Sequence, residues 1–282
     1  VPSTAIRNPV VVDRIRLRRP LVSDEVSFLK KHTKHPVKVT IPGPYLLTRS
    51  MWVKALSSGA YPTRDDLARD VAKIIREEVI RLRDLGADFI QLDEPTISEV
   101  VYGQVGIGST FMCAVLATKM DPTEELEFAT GLINEVLQGI SGVRLGIHVC
   151  RGNWSKREET LLKGNYRPLL PYLMDTKANQ LVLEFATPRA GDVDVLADYP
   201  NEKEVGLGVV NPRVDEVESE DFILERARRL AKFQDPGKIW LNPDCGFGTF
   251  SEVPLVSAEV AYEKLKVMVK ATQRLRREYG KD

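Results

Sequence analysis

Short runs of β-branched and apolar residues recur along the chain, and each is followed by a stretch whose apolar positions repeat at helical spacing. That alternation restricts the chain to folds built from strand-helix units around a parallel sheet. The candidate strands are residues 37–41, 88–92, 143–149, 180–184, 204–210 and 238–241. The helical patterns that follow cover 64–85, 122–137, 156–174, 193–198, 216–233 and 258–279. In the first of these, Leu67, Val71, Ile74, Ile75, Val79 and Leu82 keep helical spacing, and Gly86 supplies a stop. Val10-Val11-Val12 with a helix over 23–31 adds a unit, so seven of the eight units of a (β/α)8 TIM barrel are counted. The first unit is placed upstream of Val1, and the absence of an initiator methionine agrees with a missing N-terminal piece.

No linker rich in Pro, Gly or Ser divides the chain, so residues 1–282 are read as one α/β barrel domain. A doubly wound sheet is the rival fold. It would carry a G-x-G-x-x-G loop after its first strand, and none lies at such a junction. The glycines from Gly103 to Gly108 follow a loop and read as a connection. At 43% hydrophobic and 28% charged, the chain can bury a sizeable core. The 40 basic residues cancel the 40 acidic ones, which leaves no global field to recruit nucleic acid or an anionic membrane. No apolar run approaches the ~20 residues of a membrane span, and no secretory signal is visible, so a cytoplasmic protein is expected.

A barrel places its chemistry where strands end. His148 and Cys150 stand two apart at the end of one strand, and a period of two turns both to the same face. Glu184 ends the next strand, and Cys245 follows the last in Asn242-Pro243-Asp244-Cys245-Gly246. One imidazole, two thiols and a carboxylate are a donor set that zinc accepts in tetrahedral geometry. A cysteine in an apolar strand is ordinarily a small packing residue. Here, however, two of the three cysteines and one of the three histidines occupy matching strand ends. Three cysteines are too few for a disulfide framework. His32 and His35 lie in a Lys-rich connection and read as surface, while Cys113 reads as a packing residue.

Gln91-Leu92-Asp93-Glu94-Pro95 marks another strand end. Adjacent carboxylates at a barrel mouth need a cation, an amine or an Arg. Asp93 shares a face with Gln91 and is the better ligand candidate; Glu94 takes the opposite face, open to substrate binding or to capping the next turn. The turns Arg151-Gly152-Asn153-Trp154 and Asn211-Pro212-Arg213 also lie at the mouth, where their arginines can pair with a carboxylate of substrate or protein.

Together the Asp-Glu-Pro segment, His148-Val149-Cys150, Glu184 and Asn242-Pro243-Asp244-Cys245-Gly246 resemble the catalytic domain of the cobalamin-independent methionine synthases, in order over about residues 37–249. The resemblance implies a (β/α)8 barrel that moves a methyl group to the sulfur of homocysteine. Its zinc ligands fall on His148, Cys150, Glu184 and Cys245, and its holder of the substrate amino group falls on Asp93, with Glu94 beside it. Zinc would keep the substrate thiol deprotonated and nucleophilic, and Glu184 is the ligand expected to yield to the incoming sulfur.

Two departures bear on the methyl donor. The chain is too short for the second barrel of the long family members, and Gly208-Val209-Val210-Asn211-Pro212-Arg213 has Val or Asn where they carry a proton-donating His. The chain therefore resembles the short, single-barrel branch. The expected donor is a methylated corrinoid, free or on a partner protein, rather than methyltetrahydrofolate, because a cobalt-bound methyl group needs no proton on its leaving group. Two alternatives keep the metal but change its use: alkylation of another thiol, as in the related epoxyalkane:coenzyme M transferase, or a structural zinc closed by four protein ligands.

Overall fold

The structure, a computed structural model, describes residues 9–103, 121–156, 158, 161–198, 202–248 and 254–280. They form two compact units, Val1–His148 with Pro171–Asn179, and Val149–Leu170 with Gln180–Asp282.

In the first unit, chain order is α1 (Ser23–His32), β1 (Lys38–Pro42), α2 (Pro44–Met51), α3 (Lys54–Ser57), α4 (Arg64–Asp84), β2 (Phe89–Asp93), α5 (Thr96–Tyr102), α6 (Pro122–Leu137), β3 (Arg144–Val149) and α7 (Leu170–Asp175). Strands β1, β2 and β3 are parallel neighbours, with Ile41 opposite Leu92 and Leu92 opposite Ile147. Helix α4 begins at a capping box in which Thr63 and Asp66 satisfy each other's backbone N–H groups. It buries Leu67, Val71, Ile75, Val79 and Leu82, a single stripe packed against α2 and α6. Gly86, at φ 85°, ends it in a conformation that a side chain would strain.

In the second unit, β4 (Gln180–Glu184), β5 (Glu204–Val210) and β6 (Ile239–Pro243) are parallel neighbours, with α8 (Glu220–Leu230) between β5 and β6 and α9 (Ala258–Glu278) after β6. Every residue of β4 is buried, as expected for a parallel strand covered on both faces. Gly208 on β5 is crowded by both side chain and backbone. A Cβ there would lie 2.2 Å from Asp244 Oδ1 and 2.8 Å from the Leu183 carbonyl oxygen. Because backbone is among those neighbours, Gly208→Ala should destabilise the fold by about 1–3 kcal/mol. An unshifted urea midpoint would contradict this crowding.

Two expectations are corrected. Val10-Val11-Val12 is not a strand: the Val11 N–H bonds to the Met51 carbonyl at the end of α2, and Val12 is exposed. One isolated hydrogen bond with one buried side chain does not make a ladder. Of the helix expected over 156–174, residues 161–169 are bends, turns and irregular chain and α7 begins only at Leu170, because Gly164 takes φ 147° and Pro168 follows it. The residues from 104 to 108, and Cys113, lie outside the described residues. Among the described residues no helix is long and apolar enough to cross a membrane.

Candidate metal centre

His148, on the last turn of the β3 pleat, and Cys150, just beyond it, are buried on one face, with Val149 turned away. Cys245 follows β6 by two residues. The ligand atoms of His148, Cys150 and Cys245 all lie within 4.8 Å of one another. Three donors of nitrogen and sulfur type at that spacing are what a borderline-soft cation such as zinc requires. The electrostatics agree: a hydrogen bond with Cys150, and then burial, push the Cys245 thiol well above its ordinary pKa. A cation would reverse that shift, since a coordinated thiol is deprotonated outright.

Backbone and side-chain donors hold the two sulfurs. The Gly152 N–H points at Cys150 Sγ (3.4 Å), and Asn153 Nδ2 donates to Cys245 Sγ (3.2 Å). The same Asn153 Nδ2 also donates to Glu184 Oε2 (2.9 Å), while Asn153 Oδ1 accepts from Arg189 Nη2 (2.8 Å) and Arg213 Nε (2.9 Å). Four contacts fix which way this amide points.

Glu184 stands at the end of β4, fully buried, and is not in the three-residue cluster. Its Oε2 also accepts from the Arg151 N–H (2.7 Å), and its Oε1 accepts from Arg189 Nη2 (2.6 Å) and Nε (3.2 Å). Tyr166 ties two strand ends together: its hydroxyl donates to the Val149 carbonyl (2.6 Å) and accepts from the Glu184 N–H (2.9 Å). Asp244 fixes the segment that carries Cys245, because its Oδ1 accepts from the N–H groups of Phe185 and Ala186, both 3.0 Å. Burial, with Glu184 nearby, pushes the Asp244 carboxyl well above the usual carboxylate range.

Asp93 and His148 are cross-strand partners on β2 and β3, on the same face of the sheet. Gln91 Nε2 donates to Asp93 Oδ1 (2.6 Å) and orients the carboxylate. Glu94 is wholly buried, and its two oxygens accept from the N–H groups of Tyr45 and Leu46, each 2.8 Å, at the start of α2. Burial raises its pKa to about 8 against the pull of those two bonds. Gly43 makes room for it, since a Cβ at that position would fall 2.1 Å from Glu94 Oε1.

Arg151 and Arg213, expected at the mouth, are buried on protein partners. Arg151 Nε donates to the Gly164 carbonyl, and its guanidinium lies 4.0 Å from the Tyr166 ring centroid. Arg213 pairs with Glu158 besides Asn153. His32 is exposed and stacks on Phe28. Arg189 and Tyr166 carry no motif and are not singled out by sequence reasoning. A buried strand-end carboxylate nevertheless demands a cation, and Arg189, five residues after Glu184, is the one supplied.

Residues 2–274 match the family model described as "Cobalamin-independent synthase, Catalytic domain". The chain belongs to that family. It is 31% identical over 275 residues to a methionine synthase of Pyrococcus horikoshii, a match covering 96% of this chain and 67% of that protein. Against the methionine synthase of Saccharolobus solfataricus it is 29% identical over 274 residues, covering 96% and 68%. Among solved structures, a B12-independent methionine synthase from Shewanella sp. W3-18-1 in complex with selenomethionine superposes with a TM-score of 0.74 at 21% identity, covering 95% of this chain and 70% of that one. A methyltransferase from Methanosarcina mazei gives 0.58 at 16% identity, covering 90% and 63%. The fold of this family member is accordingly the α/β barrel of parallel strands.

Proposed function

We propose that this family member is a zinc-dependent methyltransferase that converts homocysteine to methionine, with His148, Cys150 and Cys245 as metal ligands and Glu184 as a fourth, exchangeable ligand. The observation that carries the reading is the trio of nitrogen and sulfur donors within 4.8 Å. Three firm protein ligands with a replaceable fourth position are the pattern of catalytic zinc, whereas structural zinc has four closed ligands. Glu184 supports the first pattern, because Arg189, Asn153 and the Arg151 N–H already occupy its oxygens.

Bound zinc would supply the positive charge that keeps the homocysteine sulfur a thiolate at neutral pH. The protein then has to place that substrate. Asp93 accepts the substrate ammonium group on the face that also carries His148, and Gln91 fixes its carboxylate. Glu94 contributes to substrate binding by locking the start of α2 beside Asp93. Asn153 orients both Cys245 and Glu184. Because the Cys245 thiol is held well above its ordinary pKa without metal, zinc uptake at pH 7 should release the proton of that thiol, and affinity should rise with pH. Zinc-binding heats that do not vary with buffer ionisation would contradict this.

For the donor, the family's cobalamin-independent description favours methyltetrahydrofolate over the methylated corrinoid expected from the sequence. One observation keeps the corrinoid, free or carried by a partner protein, as a second reading. The Val210-Asn211 pair offers no titratable group to protonate a folate nitrogen, and Asn211 Oδ1 is spent on the Arg213 N–H. Methionine formation by the zinc-loaded chain with each donor at matched concentration tests both. Faster turnover with the folate supports the first, faster turnover with methylcobalamin the second, and activity with neither contradicts the proposed reaction.

A further inference from the structure

Glu184 is more firmly held by the protein than a metal ligand needs to be. Its side chain is 0% exposed and that of Arg189 is 3% exposed, and the two meet through both Nη2 and Nε of the guanidinium on one oxygen, Oε1. The other oxygen takes the Arg151 N–H and Asn153 Nδ2, and that amide nitrogen also serves Cys245 Sγ. Arg189 has a second acceptor of its own in Asn153 Oδ1 at 2.8 Å. It therefore keeps the hydrogen bond to Asn153 when the carboxylate turns away.

We propose that Arg189 is a positioning residue that competes with the metal for the Glu184 carboxylate and so makes that ligand replaceable by the substrate sulfur. The inference rests on the zinc reading above and deepens it. A carboxylate paired to a buried guanidinium donates less charge to a metal, and the same guanidinium receives it when a thiol displaces it. The sign of the effect separates this role from a structural one. Loss of an ordinary supporting partner weakens metal binding, by roughly tenfold to a hundredfold. Loss of a competitor strengthens it.

The test is zinc affinity, read by competition with a chromophoric chelator, together with the homocysteine midpoint of the visible spectrum of the cobalt-substituted protein. Arg189→Gln is expected to hold zinc about tenfold more tightly and to need about tenfold more homocysteine to shift the spectrum. Arg189→Lys, which keeps the charge but not the forked contact, should fall between it and the wild type and serves if Arg189→Gln does not fold. In a Glu184→Ala background, Arg189→Gln should leave zinc affinity unchanged, because the competed group is gone. Unchanged or weaker zinc binding in the Arg189 variants, with the wild type loaded, would overturn the inference alone. A wild type that takes no zinc would overturn the metal reading and the inference with it.

Discussion

If His148, Cys150 and Cys245 hold zinc as proposed, Cys150→Ser and Cys245→Ser are each expected to lose most of the metal and, with it, methionine formation. A neutral hydroxyl is a far poorer ligand than a thiolate. The loss should exceed the ~100-fold that removal of a mere supporting partner can cause. The two sulfurs and His148 form one cluster, so each serine variant leaves that cluster with two of its three donors. Glu184→Gln should retain more metal than either serine variant, because the Glu184 oxygens are already engaged by Arg189, Asn153 and the Arg151 N–H. Plasma emission on purified protein reads all three. Full zinc in both serine variants would refute the ligand assignment.

If Asp93 holds the substrate ammonium group, Asp93→Asn is expected to weaken homocysteine binding selectively. Replacing the carboxylate by an amide would then remove a charge-assisted hydrogen bond, at a cost of about 1.5–3 kcal/mol, or roughly a tenfold to hundredfold rise in KM. The asparagine still accepts from Gln91 Nε2, the partner of Asp93 Oδ1, so the fold should be little affected. The control is a thiol of similar size without the amine, whose binding should change little. Equal losses for the two thiols would mean that Asp93 supports structure and does not read the ammonium group.

Strands were the most legible part of the sequence. Residues 180–184 and 204–210 match β4 and β5 to the residue, and β2, β3 and β6 shift by one or two, because buried parallel strands are short apolar runs bounded by turn residues. Tertiary context decided the rest. Val10-Val11-Val12 has strand composition but pairs in no ladder among the described residues. Over 156–174, apolar spacing suggested a helix that Gly164 and Pro168 interrupt. Helix α2, which begins at Pro44, was not read from the sequence, although proline is welcome in the first turn of a helix.

At the site, the cluster was legible because a two-residue period and strand-end placement bring His148 and Cys150 to one face, and the pairing of Cys245 with them followed from the barrel. The network around Glu184 was not legible. Asn153 reaches it from a loop and Arg189 from a single 3-10 turn, Pro188–Ala190, and no local pattern specifies where either points. The role of Glu94 was half legible: its alternate face was read, but the helix start that takes up both its oxygens was not.

The most direct measurement is X-ray absorption at the zinc edge of the loaded protein, with and without homocysteine. The account predicts a coordination shell of one imidazole nitrogen, two sulfurs and one oxygen that gains a third sulfur and loses the oxygen when the thiol is added. A shell that homocysteine leaves unchanged would contradict it and would make the zinc structural.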